Sequence, residues 1–209
     1  MSTLAATSGG DSEISRNGLV AEYLSVSDAT DTSGGGNDGT LSGAASVTGG
    51  ALKLPFGSSF VTYPSGVLPN VGTVSLWVKA DALGSDNYIF SHRTPGGARF
   101  YIATVDANDI DATVGDTSLK FTDNDAVVGT AYHLLITYGG GDAELFLDGA
   151  SVGSFSYTDA FNATGGAYYN GAYLGASGFF LGSIDNQRIY NRKLVQSEID
   201  ALAAEAHDL

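Results

Sequence analysis

The chain has 209 residues, with 23 acidic against 9 basic side chains and a formal net charge of -14. Its 43% hydrophobic and 15% charged content describes a folded chain with enough length for one large core. The charge argues against nucleic acid or an anionic membrane as a partner. No apolar run is long enough to span a bilayer, and the absence of cysteine removes disulfides and thiolate metal sites.

Residues 1–17 read as a polar arm with no charged-then-apolar export pattern. An ordered arm of this kind is expected to hold a neighbouring subunit. Leu19, Ala21 and Tyr23 then alternate with Val20 and Glu22, which predicts a first strand. Residues 25–39, SVSDATDTSGGGNDG, follow with no large apolar residue after Val26. Long segments without a core anchor are usually functional or disordered.

The middle of the chain is strand after strand. Ala51–Leu54 and Phe60–Tyr63 flank a turn at Gly57-Ser58-Ser59. Thr73–Ala80 puts Val74, Leu76 and Val78 on one face, with Ser75, Trp77 and Lys79 on the other. Asn87–His92 and Arg99–Val105 are separated by Pro95-Gly96-Gly97, a hairpin signal. Further strands are expected at 109–114, 118–122, 132–138, 144–148 and 152–157. Residues 158–171 are expected to be an open loop, and 172–174 a short strand. Phe179–Tyr190 reads as a strand with Asp185 in its middle; Leu194, Ile199 and Leu202 then mark a short amphipathic helix. A carboxylate in mid-strand needs a partner, because an unpaired buried charge is costly.

About a dozen strands at this spacing, with helical period only near the end, predict an all-β sandwich or barrel. Four ordered segments then carry a resemblance. They are Asp31-Thr32-Ser33-Gly34 with Gly36–Thr40; Val74–Lys79; Tyr132-His133-Leu134 through Leu147-Asp148-Gly149; and Leu181–Asp185 with Arg188–Arg192. Over residues 18–202 the chain resembles the laminin-G-like group of the concanavalin A-like lectin/glucanase superfamily. The resemblance implies one domain over 18–209, a jelly-roll sandwich of two antiparallel sheets with a short C-terminal helix. It also implies a calcium site formed by Asp31, Asn37, Asp38 and Asp185. Calcium takes six to eight oxygens, which such a loop can offer. In the alternative, Asp185 accepts backbone hydrogen bonds or pairs with Arg188 or Arg192.

Catalysis is not expected. The superfamily's glucanases need carboxylates that flank the scissile bond, and none of Glu13, Glu22, Glu144, Glu198 and Glu205 forms such a strand. Asp109 and Asp111 share a strand face but are expected to be solvated. No Gly-x-Ser-x-Gly elbow accompanies His92, His133 or His207. Two binding roles remain. The chain is read first as a surface subunit of a virus particle, a capsid decoration or a tail or fibre protein, joined to other subunits through residues 1–17. The alternative is a glycan-binding lectin or adhesin at a cell surface or outside the cell, with a polysaccharide hydrolase or lyase more remote. The glycan contacts are expected from Tyr88, Tyr168, Tyr169 and Asn170, with Trp77 and Tyr101 as further rings.

Overall fold

The structure is a computed structural model that describes residues 14–25, 28–55, 57–84, 86–93, 99–105, 109–115, 117–121, 127–158 and 166–209. Residues 1–13 of the arm and the Pro95-Gly96-Gly97 turn lie outside this set. The described chain forms β1 (Leu19–Tyr23), β2 (Thr40–Ser42), β3 (Ser46–Thr48), β4 (Ala51–Leu54), β5 (Phe60–Tyr63), β6 (Gly72–Ala80), β7 (Asn87–Arg93) and β8 (Arg99–Thr104). It continues as β9 (Ile110–Gly115), β10 (Thr117–Phe121), β11 (Ala131–Gly139), β12 (Asp142–Leu147), β13 (Ala150–Ser156), β14 (Tyr168–Asn170), β15 (Gly182–Tyr190) and the helix α1 (Gln196–Ala203).

These strands make two antiparallel sheets. One runs β13-β12-β11-β6-β15-β4-β3, with β1 also paired to β15. The other runs β10-β9-β8-β7-β14-β5-β2. Between them lies one apolar layer. Val74, Leu76, Val78, Leu134, Ile136 and Ile189 come from the first sheet, and Val61, Phe90, Phe100, Ile102, Ala112, Val114 and Tyr168 from the second. The alternation read from 73–80 is therefore the true inside and outside of β6.

The outer face of the first sheet carries a second layer. Leu135, Phe146 and Tyr190 pack with Leu194, Ile199 and Leu202. Burying Ile199 and Leu202 supplies about 1.5–3 kcal/mol each, enough to hold a helix this short. Its start is tied by Glu198, whose Oε2 accepts the Val195 N–H at 3.1 Å. Ile14 and Leu19 pack against the same layer. Arg192 holds the nearby chain, its Nε donating to Asn17 O at 2.8 Å. Residues 14–17, read as part of the arm, are thus docked on the sandwich.

Two strand expectations needed correction. Residues 168–170, expected in an open loop, are β14, a central strand between β7 and β5. Residues 172–174, expected as a strand, form a turn closed by the Tyr173↔Ser177 bridge. Three residues are too few to show alternation, so packing decided both places.

Candidate functional site: the outer face of the seven-stranded sheet

The Asp-rich loop is built around one carboxylate. Asp31 is 7% exposed. Its Oδ1 accepts the N–H groups of Glu22 (3.0 Å) and Ser33 (2.8 Å). Its Oδ2 accepts the Asn37 N–H and Nδ2–H, both at 3.0 Å. Asp38 Oδ1 accepts the Asp31 N–H at 2.9 Å, and Tyr23 donates to Asn37 O at 2.7 Å. Burial pushes the Asp31 carboxyl up, but these hydrogen bonds outweigh it and hold the group below the usual range. Close packing explains a glycine here: a Cβ on Gly35 would meet Asn37 Nδ2 at 2.5 Å.

Asp185 sits elsewhere. It is 2% exposed, on the helix-side face of β15. Oδ1 accepts the Asn186 N–H at 2.7 Å and Oδ2 the Asp208 N–H at 2.9 Å. Burial holds its carboxyl above the usual range despite those bonds. Its partner is the C-terminal tail, as in the backbone-bonded alternative. The structure thus brings Asp31, Asn37 and Asp38 together and leaves Asp185 with other partners. Both Asp31 oxygens already hold two N–H donors each, a poor fit to a calcium ligand. Among the described residues no group of three or more His, Asp or Glu is placed to hold a metal ion.

The C-terminal tail closes a polar layer on the same face. Asn186, at φ 47° where the strand bulges, donates from Nδ2 to Ala206 O at 2.8 Å. His207 stacks on Trp77 with centroids 4.0 Å apart, and Trp77 Nε1 donates to Leu202 O. Beneath them Ser75 Oγ and His133 Nε2 are 2.8 Å apart. That is the contact of a nucleophile with its base. Here it is buried, and burial together with Arg188 pushes the imidazole down to about 3. So weak a base, buried beneath the C-terminal tail on the helix-side face, is a structural group.

The exposed chemistry lies on the outer face of the other sheet. Strand register builds a row across it: Thr40↔Thr62, Thr62↔Tyr169, Tyr169↔Ser91, Ser91↔Tyr101, Tyr101↔Thr113 and Thr113↔Ser118. Every member carries a hydroxyl. The 171–178 turn crosses the middle of this row, because Ser91 Oγ donates to Ala172 O at 2.6 Å. On one side of the turn Tyr88 meets Tyr101 edge-on (5.1 Å) and Tyr173 (4.8 Å). Burial and the neighbouring tyrosines push the Tyr88 hydroxyl up to about 12. Tyr101 Oη reaches Asp111 Oδ2 at 3.4 Å. Asp111 is 8% exposed, so the solvated reading of it was wrong. On the other side Phe60 packs against Tyr169 and Phe179 at 6.3 Å each. Beside it lies an open groove of about 380 Å³ lined by Asp38, Thr40, Thr62, Tyr63, Pro64, Ser65 and Ala167.

Four residues had been expected to bind ligand, and the face separates them. Tyr88 and Tyr169 belong to it and are half-buried. Tyr168 points the other way, 1% exposed, stacked on Tyr63 at 4.4 Å and hydrogen-bonded to Tyr23. Asn170 is fully buried with Nδ2 on Ile89 O. Both are core residues, because alternate residues of a strand face opposite sides. Sequence reasoning missed Tyr173, Thr40 and Thr62; the first lies in a turn, and the others reach the face only through strand pairing.

The described chain is a two-sheet jelly-roll sandwich of the lectin type, with an aromatic and hydroxyl-rich outer face. The family model for the concanavalin A-like lectin/glucanases superfamily, of laminin G type, matches residues 56–200, and the chain belongs to that family. No curated protein sequence matches it. Among solved structures it is similar to domain 4 of AbnA, an extracellular GH43 arabinanase from Geobacillus stearothermophilus, in complex with arabinotriose. That match has 24% identity and a TM-score of 0.73, and covers 88% of this chain and 98% of that one. The binding domain of botulinum neurotoxin serotype D is similar at 14% identity, with a TM-score of 0.73 over 90% of this chain and 52% of that one. Trypanosoma rangeli sialidase is similar at 17% identity, with a TM-score of 0.71 over 91% of this chain and 33% of that one. This chain thus spans about half of the toxin domain and a third of the sialidase. At these identities the likeness is one of fold.

Proposed function

We propose that this domain is a non-catalytic glycan-binding module working outside a cell or on a particle surface. The observation that carries the reading is the Tyr88, Tyr101 and Tyr173 cluster beside Asp111, on a sheet face that the core does not use. A sugar presents an apolar CH face and a rim of hydroxyls. Rings supply the first contact and the tyrosine hydroxyls meet the second. The arabinotriose complex of the similar arabinanase domain supports the same class of ligand. The test is titration with arabino-oligosaccharides and a wider glycan panel. Tyr173→Ala is expected to weaken binding about five- to thirtyfold, as for an aromatic anchor worth about 1–2 kcal/mol. Unchanged binding in that variant, with an unchanged melting curve, would remove the site.

The particle-subunit reading has one observation in its favour. Ile14 packs in the helix-side layer and Arg192 holds Asn17 there, so the first described residues lie on the side opposite the tyrosines. An anchor on one side and a recognition face on the other suit a decoration or fibre protein. Removing residues 1–13 is then expected to abolish attachment to the particle and leave glycan binding intact. Retained attachment would end that reading.

A further inference from the structure

On the same outer face two arginines stand directly opposite each other. Arg93 closes β7 and Arg99 opens β8, and the register pairs them. Both are exposed. Alternation puts Arg99 on the side of Tyr101, two residues on, and Arg93 on the side of Ser91. Like charges directly opposite in a sheet are destabilising. The chain has only 9 basic residues in all. Among the described residues the ion pairs use Arg16, Arg188, Arg192 and Lys193, and neither Arg93 nor Arg99 pairs with a described acid. Burial raises the hydroxyls of Tyr88 and Tyr101, and the Arg99 charge draws both slightly down.

Tyr101 therefore lies between two unlike ends. Asp111 accepts from its hydroxyl on one side, and the arginine pair lies on the other. From Arg99 to Ala103, the register partner of Asp111, is four strand steps, about 13 Å. A sugar seated on the rings would offer an anionic substituent to the arginines. Guanidinium groups bind carboxylate or sulfate through paired N–H bonds. The net charge of -14 opposes any anion at long range. That opposition is screened beyond about 8–10 Å in ordinary salt, so the local pair decides at contact.

We infer that the glycan taken by this face carries an anionic group, a carboxylate or a sulfate, held between Arg93 and Arg99. The inference rests on the glycan-binding reading above. The probes are polygalacturonic acid and its carboxyl-reduced polymer, with a sulfated galactan and its desulfated, neutral form as a second matched pair, measured by calorimetry. The acidic member of at least one pair is expected to bind about tenfold tighter or more, the scale of one charge-assisted hydrogen bond. The pair that shows the difference identifies the group. The double variant Arg93→Gln/Arg99→Gln, both sites exposed, is expected to erase that preference with a melting temperature no lower than that of the wild type. Tyr173→Ala is expected to weaken both members of the pair. Neutral polymers binding as well as acidic ones, or a preference that survives the double variant, would overturn the inference and leave the glycan reading standing. No binding by any member of a broad panel, acidic or neutral, overturns both.

Discussion

Glu22 and Arg188, 166 residues apart, meet in a buried ion pair: Arg188 Nε donates to Glu22 Oε1 at 2.9 Å, with both side chains under 5% exposed. They are register partners on β1 and β15. Arg188 also grips Glu205 through Nη1 and Nη2, at 2.5 and 2.7 Å. One guanidinium thus joins the first strand, the last strand and the C-terminal tail. Arg188→Met is expected to cost about 3–5 kcal/mol, because it strands Glu22 without its buried cation. The double variant Glu22→Leu/Arg188→Met is expected to recover most of that loss. Urea unfolding of both variants measures it, and a double variant no better than the single one would contradict the account.

His133 makes stability depend on pH. Its folded value, about 3, lies well below the unfolded 6.5 because burial and Arg188 disfavour the cation. Between those values the unfolded chain binds a proton that the folded chain refuses, so stability falls as pH drops from about 6.5 toward 3. Each unit of difference is worth about 1.4 kcal/mol. Denaturant midpoints across pH 3.5–7 are expected to show this slope, and His133→Gln to flatten it. An equal slope in the variant would assign the effect to another group.

Asp31 is expected to act as the clamp of its loop without metal. Asp31→Asn exchanges two acceptor positions for donors that would face the Asn37 or Ser33 N–H groups. The loss should be about 1–3 kcal/mol. Adding calcium or a chelator should leave the wild-type melting temperature unchanged. A rise with calcium would restore the metal, since a bound ion stabilises by mass action.

Gln187 offers a gain. It is 2% exposed, and neither amide atom has a hydrogen-bond partner among the described residues. It lines a small void with Tyr23, Ser25, Val47, Leu52 and Tyr63. Gln187→Leu should raise stability by about 1–3 kcal/mol, the cost of burying an unpaired polar group. A lower unfolding midpoint would mean that water satisfies the amide.

The sandwich was legible because its evidence is periodic. Val74, Leu76 and Val78 alternate over a long strand, and turn residues mark the strand ends. Tyr168 was illegible for the opposite reason. β14 has three residues, and only its pairing with β5 and β7 fixes which ring faces in. Asp185 was flagged correctly as a carboxylate in need of partners. Its partner, a backbone N–H in the C-terminal tail, carries no side-chain signature. The arginine pair was hidden likewise, since the register of a hairpin depends on its turn and not on either strand alone.

β15 is the last strand to be made, yet it lies between β6 on one side and β4 with β1 on the other. The chain through residue 190 must therefore have left the ribosome before the larger sheet can close. Until then β6 on one side, and β4 and β1 on the other, lack the strand that joins them. Contacts this distant along the chain make for slow folding, on the millisecond-to-second scale of sandwich proteins. The waiting strands are exposed to wrong pairing in that interval, so the yield of native domain should depend on how fast residues 182–190 arrive.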